Sequence, residues 1–204
     1  SDRFRRYVHR SVPRPRPRPR PRHDVSMSTP AAFSVHPTPI GEALVVVTDQ
    51  GLAFLDVLDV ALGAREGALV GITRALHAAP EPDAGATAAV TTQLDEYFAG
   101  DRRGFDLALD LRTVHGFVRT ALERICEIPY GDVWSYAEVA IAAGSPGANR
   151  AVGTACARTP ISIVVPAHRV VRSDGSIGEY GGHPERKRYL IDLEARVSGV
   201  PAAV

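Results

Sequence analysis

Side chains with the types and spacing of a reaction centre lie between positions 164 and 182, in VVPAHRVVRSDGSIGEYGG. His168 and Arg169 follow a proline, and a glycine-rich turn further on carries Tyr180. An imidazole is the side chain best placed to move a proton near neutral pH. The position beside it, where a nucleophile would stand, holds Ala167. Its methyl group has no lone pair and no ionisable proton. A second candidate is NRAVGTACA, residues 149–157, in which Arg150 precedes the small residues Ala151, Gly153 and Ala155. A helix without bulk on its exposed side can bring its backbone and N-terminal amides against a phosphate chain, with the arginine entering a base stack. The alternative is close helix packing with Arg150 merely solvated.

The remaining chemistry-bearing residues are sparse. Cys126 and Cys156 are far apart and form no CxxC pair, as in reduced thiols of a cytoplasmic protein. Cys126, in RTALERICEI, is expected to be buried and inert. No His, Cys or carboxylate group has metal-ligand spacing, so no metal and no cofactor is expected. His36, His77 and His115 lack partners at useful spacing and are assigned to the surface. His183 is assigned to a solvated loop with phosphate as a possible contact, and Arg186-Lys187-Arg188 to a solvated helix face.

The elements that must position these residues are legible from periodicity. EALVVVT and GLAFLDVL are strands joined at Asp49-Gln50-Gly51. AREGALVGITRALHAA and ATAAVTTQLDEYFAG are helices, the second closed by Gly100. FDLALDL alternates as a strand with one wet face. Further on, VHGFVRTALERICEI is an amphipathic helix. SYAEVAIAAG is a helix with Ser135 and Glu138 as a capping box, and NRAVGTACA is a helix capped by Asn149. Helix, turn and helix at this spacing have the shape of a DNA reader, although any two tightly linked helices look similar. ISIVVP reads as a buried strand, RSDGSIGEYGG as a hairpin or wing, and PERKRYLIDLEARV as a closing helix.

These elements divide the chain into 1–26, 27–111 and 112–204. The net charge of +1 conceals segregation. The first piece contains PRPRPRPRPR and carries nine arginines against Asp2 and Asp24. Alternating proline and self-repelling charge predict an extended tail there. Its functional reading is a nucleic-acid or membrane arm, and its plainer reading is a leader foreign to the natural protein, with Met27 a plausible start. The second piece is acidic and is expected to be structural. The third is mildly basic, which permits nucleic-acid contact. No apolar run approaches the ~20 residues of a membrane helix. A monomer with no membrane partner is expected.

IPYGDVWSYAEVA, NRAVGTA, TPISIVVPAHRVVRSDGSIGEYGG and a distal Leu-Glu, in that order, resemble the O6-alkylguanine-DNA alkyltransferase family. The likeness is dense over residues 113–195 and looser over QLDEYFAGDRRGFDLALDL. It implies a ribonuclease-H-like α/β N-terminal domain and an α+β winged-helix or helix-turn-helix DNA-binding C-terminal domain. It also implies a double-stranded DNA partner carrying O6-alkylguanine. In that family a Pro-Cys-His-Arg motif supplies the thiolate that accepts the alkyl group from a flipped guanine. By this resemblance Ala167 stands at the acceptor position, His168 matches the base acting through water, and Glu194 matches the acid that orients it. Tyr136 matches the donor to guanine N3, and Arg150 matches the finger that fills the gap in the duplex. Arg150, Ala151, Gly153, Arg169 and Tyr136 fall on the DNA-facing side; Tyr136, Cys156, Ala167, Val170, Tyr180 and Gly181 fall on the lesion pocket.

Three positions depart from the family pattern: Ala167, Thr159 in place of an asparagine before proline, and Gly181 in place of a serine. Without sulfur at 167 the family's transfer step has no acceptor. Two origins compete, a natural non-catalytic relative similar to the alkyltransferase-like proteins that pass lesions to nucleotide excision repair, and an active enzyme whose cysteine was replaced. Thr159, a second departure nearby, favours the first. Rescue through Cys156 and a transcription regulator without lesion recognition are the other readings, and the latter leaves Tyr136, His168 and Tyr180 without a purpose.

Overall fold

In a computed structural model, residues 31–59 and 61–199 are described. The Arg/Pro tail and Met27 lie outside the described residues. β1 (Ala32–Thr38) turns back through Thr38–Gly41 into β2 (Gly41–Thr48), and β2 turns at Asp49-Gln50 into β3 (Gly51–Val57). Both pairings are antiparallel. α1 (Ala64–Leu76) follows, then a two-residue β4 (Glu81–Pro82) that pairs parallel with β1 and gives the sheet order β3-β2-β1-β4. β1 was not foreseen, because Pro37 weakens its alternation. Pro37 is tolerated because β4 covers only Ala32 and Phe33, so the missing N–H falls where no fourth strand needs it. The run Ala43-Leu44-Val45-Val46 is apolar throughout because both sheet faces are covered. Ala43 and Val45 share a core with Leu94 and Tyr97 of α2 (Ala84–Ala99), while Leu44 and Val46 share one with Ile72 of α1.

α2 opens on Asp83, whose side chain accepts from the Ala86 amide, and closes on Gly100 at φ 85°. FDLALDL does not form the expected strand. It makes one parallel bridge, Leu52 to Leu109, with the Leu52 amide donating to Ala108 and the Asp110 amide to Leu52, both at 2.8 Å. Alternation alone did not report that only one neighbour was available.

The C-terminal half contains α3 (Gly116–Ile125), β5 (Trp134–Ser135), α4 (Tyr136–Ala142) and α5 (Asn149–Ala157). A 3-10 turn at Ala167–Arg169, β6 (Val170–Val171) and α6 (Pro184–Ser198) complete it. The Ser135–Glu138 capping box is formed, and α4, a turn and α5 make the helix-turn-helix. Asn149 is the first helical residue rather than the cap, which is Ala148 without a side-chain hydrogen bond. Ala155 is fully buried beside Val152, so it belongs to the inner stripe and not to an exposed small-residue face.

ISIVVP is buried but is not a strand. Ile163 sits at φ 70°, and the Val164 amide closes a tight turn onto Ser162. Left-handed backbone is uncommon for a β-branched residue, and an apolar run by itself does not report it. Residues 172–182 form turns and coil rather than a strand hairpin. The clearest local constraint is Gly51, at φ 126°, where a Cβ would lie 2.2 Å from the Ala108 carbonyl oxygen. Gly51→Ala is expected to lose on the order of 3 kcal/mol or more in denaturant unfolding. Gly67→Ala, in open space on α1, is expected to gain up to about 1 kcal/mol. Equal effects would show that the Gly51 approach is not a constraint.

Candidate functional site

α6 carries the residues on which the site is built. Lys187, Leu190, Ile191 and Glu194 follow one another at helical spacing and are all buried. The Glu194 carboxylate accepts from the Tyr97 hydroxyl at 2.6 Å, His168 Nε2 at 2.8 Å, the Arg169 guanidinium at 2.8 and 2.9 Å and the Gly131 amide at 3.0 Å. Arg169 also donates to the Ile128 carbonyl at 2.7 Å. Burial opposes ionisation of Glu194, but hydrogen bonds from His168 and Arg169 and the charge of Arg169 outweigh it and hold its carboxyl far below the ordinary range.

His168 is fully buried, and burial lowers its imidazole further than Glu194 raises it. It is therefore neutral. An ionised carboxylate only accepts, so Nε2 carries the hydrogen and Nδ1 keeps a lone pair. Nδ1 is buried and has no hydrogen-bond partner among the described residues. This is the arrangement of an oriented base. Ala167, 2% exposed, lies next to it in the 3-10 turn.

In front of this turn is a cavity of about 630 Å³. Tyr136, Arg150, Gly153, Cys156, Ala167, Tyr180 and Gly181 line it together. His168, Arg169 and Glu194 stand behind its wall, Val170 is buried in β6, and Ala151 is half-buried on α5. Tyr136 begins α4, and a two-residue parallel ladder of β5 with β6 fixes that start beside Val170. Burial raises the Tyr136 phenol, so it stays a donor at neutral pH. Arg150 is exposed at the start of α5. Burial pushes the Cys156 thiol up to about 11, with Lys187 offsetting this only in part.

Several expectations need correction. Cys126 is exposed at the C-terminal cap of α3, one residue beyond the stripe that buries Ile125. His36 pairs with Asp95 at 2.7 Å. His183 bridges Asp59 and Glu185 rather than standing solvated, because the loop before α6 lies against the end of β3. Lys187, 1% exposed, donates to the Val170 carbonyl and lies 6.0 Å from the Tyr136 ring centre. Arg186 donates to the Val57 and Leu58 carbonyls. Tyr97, Gly131 and Lys187 were missed as members of the site. The helical repeat through Glu194 was the available signal for Lys187; nothing local marked Tyr97 or Gly131. The sheet half also supplies Asp56, Val57 and Asp59 to the cavity, which a purely structural role does not include. Among the described residues no group of three potential ligands could hold a metal, and no helix is long and apolar enough to cross a membrane.

A ribonuclease-like α/β domain joined to a helical DNA-binding domain, with a buried His–Glu pair behind a cavity beside the helix-turn-helix, defines a class of DNA-repair protein. Residues 32–111 match the ribonuclease-like domain of 6-O-methylguanine DNA methyltransferase, and residues 116–196 match its DNA-binding domain. The methylated-DNA–protein-cysteine methyltransferase of Mycobacterium tuberculosis is 46% identical over 113 residues, 55% of this chain and 68% of that protein. The crystal structure of the Mycobacterium tuberculosis O6-methylguanine methyltransferase aligns at TM-score 0.70 and 35% identity, over 84% of this chain and 96% of that one. The structure of Mycobacterium tuberculosis OGT in complex with DNA aligns at TM-score 0.69, 35% identity and the same coverage. The chain belongs to the O6-methylguanine DNA methyltransferase family.

Lys187 generates a prediction. Its ammonium is buried with no carboxylate partner, and desolvation lowers it from 10.5 to about 8. Between those values the unfolded chain holds the proton and the folded chain does not, so the penalty on folding is full below about 8 and fades as pH rises. Lys187→Met is expected to be more stable than the parent by on the order of 1–3 kcal/mol at pH 7. That advantage should narrow toward pH 10 in paired urea titrations. A constant advantage would show that Lys187 is not the titrating group.

Proposed function

We propose that this chain binds duplex DNA containing O6-alkylguanine, turns the damaged base into the cavity and retains it without accepting its alkyl group. The observation that carries the reading is Ala167, whose methyl lines the cavity in front of the unpartnered Nδ1 of His168. The base is oriented, but the adjacent side chain offers neither a proton nor a nucleophile.

The other proposed roles follow from placement. Exposed Arg150 and the start of α5, with Ala151 and Gly153, face the duplex; Arg150 occupies the space the nucleotide leaves. Extruding a base costs a few kcal/mol, and least for a damaged pair, which favours lesions. The Tyr136 phenol donates to the ring edge of the bound guanine, and Tyr180 and Gly181 complete the pocket. Arg169 holds Glu194 and leaves DNA contact to other arginines. The bound complex marks the lesion for excision repair by other proteins. Whether Ala167 is natural or replaces a cysteine, the chain as it stands has the same chemistry.

Transfer through Cys156 is the second reading, because its thiol lines the same cavity. With the thiol raised to about 11, the nucleophilic thiolate is scarce at neutral pH. No hydrogen bond joins it to His168 or Glu194 among the described residues.

Anisotropy titrations should show tighter binding to an O6-methylguanine duplex than to an unmodified one, weakening as salt rises. Mass spectrometry of the protein should show no added methyl, whereas Ala167→Cys should acquire one on the introduced thiol. A methyl group on a Cys156 peptide of the parent would overturn the non-transferring reading. Arg150→Ala should weaken binding and reduce the preference for the lesion; an unchanged preference would remove it from the flipping role.

A further inference from the structure

The cavity holds more than a purine with one methyl group needs, since pockets of a few hundred Å³ already take drug-sized ligands. Its additional wall comes from the sheet domain. β3 is drawn against the segment leading to Ala167: the Leu55 amide donates to Pro160 at 2.9 Å, and the Ser162 amide to Leu55 at 2.6 Å. This places Asp56 beside Ser162, and both line the cavity.

Asp56 is only partly committed. Its Oδ1 accepts from the Ser162 hydroxyl at 2.8 Å and from the Val57 amide at 3.0 Å. Its Oδ2 has no hydrogen bond among the described residues. The side chain is exposed on the cavity wall, and desolvation by its surroundings still raises its carboxyl. Tyr180 lines the same region, and its hydroxyl is buried without a close hydrogen bond, although Ser162 and the Ile163 backbone approach it. Ser162 is close by, but its proton is directed at Asp56. A buried phenol met only this weakly costs free energy unless a ligand group completes its hydrogen bonding. The nearby cation, Arg186, donates to two backbone carbonyls and lies 3.7 Å from Asp59, so it acts on Asp56 through space without a hydrogen bond to it. Asp59 in turn meets His183.

We infer that Asp56 and the Tyr180 hydroxyl form a subsite selecting O6 substituents that end in a hydrogen-bond donor, an ammonium or a hydroxyl group. The inference rests on the reading of the cavity as a lesion pocket. It adds that the sheet domain reads the far end of the adduct, whereas the helical domain reads the base. A positively charged arm gains a charge-assisted bond at Asp56 that an alkyl arm of equal length leaves unmade.

The test uses the full chain and three duplexes, carrying O6-methylguanine, O6-(3-aminopropyl)guanine and O6-butylguanine. The parent should bind the aminopropyl duplex about tenfold more tightly than the butyl duplex. Asp56→Asn, which keeps an Oδ1 acceptor for Ser162 and Val57, should bring that ratio to within about twofold. Equal binding of the aminopropyl and butyl duplexes by the parent, with preference for O6-methylguanine over guanine intact, overturns the subsite alone. This comparison needs no variant and so stands even if Asp56→Asn fails to fold. A full ratio retained in folded Asp56→Asn also overturns it. Loss of all preference between O6-methylguanine and guanine in the parent overturns the pocket reading together with the subsite.

Discussion

The buried carboxylate of Glu194 is the interaction on which the rest depends. Its donors come from α2 (Tyr97), the loop before β5 (Gly131) and the 3-10 turn (His168 and Arg169). One ionised group therefore ties the sheet domain to the helical domain and sets the tautomer of His168. A buried charge is tolerable only when its lone pairs are filled, and removing one partner from such a pair costs about 3–5 kcal/mol. Here Arg169 balances the charge while the Tyr97 hydroxyl and the Gly131 amide fill the remaining directions. Gly131 has a second constraint: at φ 84° a Cβ would meet the Ser198 hydroxyl oxygen at 2.5 Å. The loop can approach α6 closely enough to donate only because that Cβ is absent.

This double duty explains how the machinery of a reaction can persist beside Ala167. A small side chain at 167 leaves the packing behind it intact, whereas deleting Glu194 would remove the carboxylate that Arg169, Tyr97 and His168 share in the interior. The oriented imidazole is thus held by the requirements of folding, and its presence is not evidence of transfer. On the proposed reading, the chemistry turns on the one small side chain at 167, and the binding surface on α4, α5 and the cavity they border.

Much of this was legible from residue pattern. Ser135 and Glu138 marked the start of α4, Gly100 the end of α2, and the alternation about Asp49-Gln50 the central hairpin, because each is set by neighbours in sequence. The failures share a cause in distance. ISIVVP looks like a strand because burial on all sides and pairing in a sheet leave the same apolar signature, and only the backbone at Ile163 separates them. FDLALDL alternates correctly but has one partner, supplied by Leu52 more than fifty residues earlier. The motif around His168 and the distal Leu-Glu identified the pair behind the wall. Tyr97 and Asp56 could not be found this way, since they reach the site only through docking of the two domains. Lys187 was readable in principle: it is seven residues before Glu194, on the same buried stripe.

The electrostatics of the cavity follow a gradient from rim to wall. Arg150 and Arg172 are exposed at the rim, where a phosphate chain can be met at small desolvation cost. Toward the wall, burial favours the neutral form of each titratable group: it lowers Lys187 and raises Tyr136, Tyr180 and Cys156. A nucleobase is itself neutral but rich in donors and acceptors. It is better received by uncharged phenols and backbone groups than by ions that would have to be stripped of water first. Carboxylates also border the cavity: Asp56 and Asp59 on the side of the sheet domain, and Asp174 and Glu179 on the segment after β6. On the proposed reading, the purine would meet the neutral groups of the wall and its substituent the acidic side at Asp56.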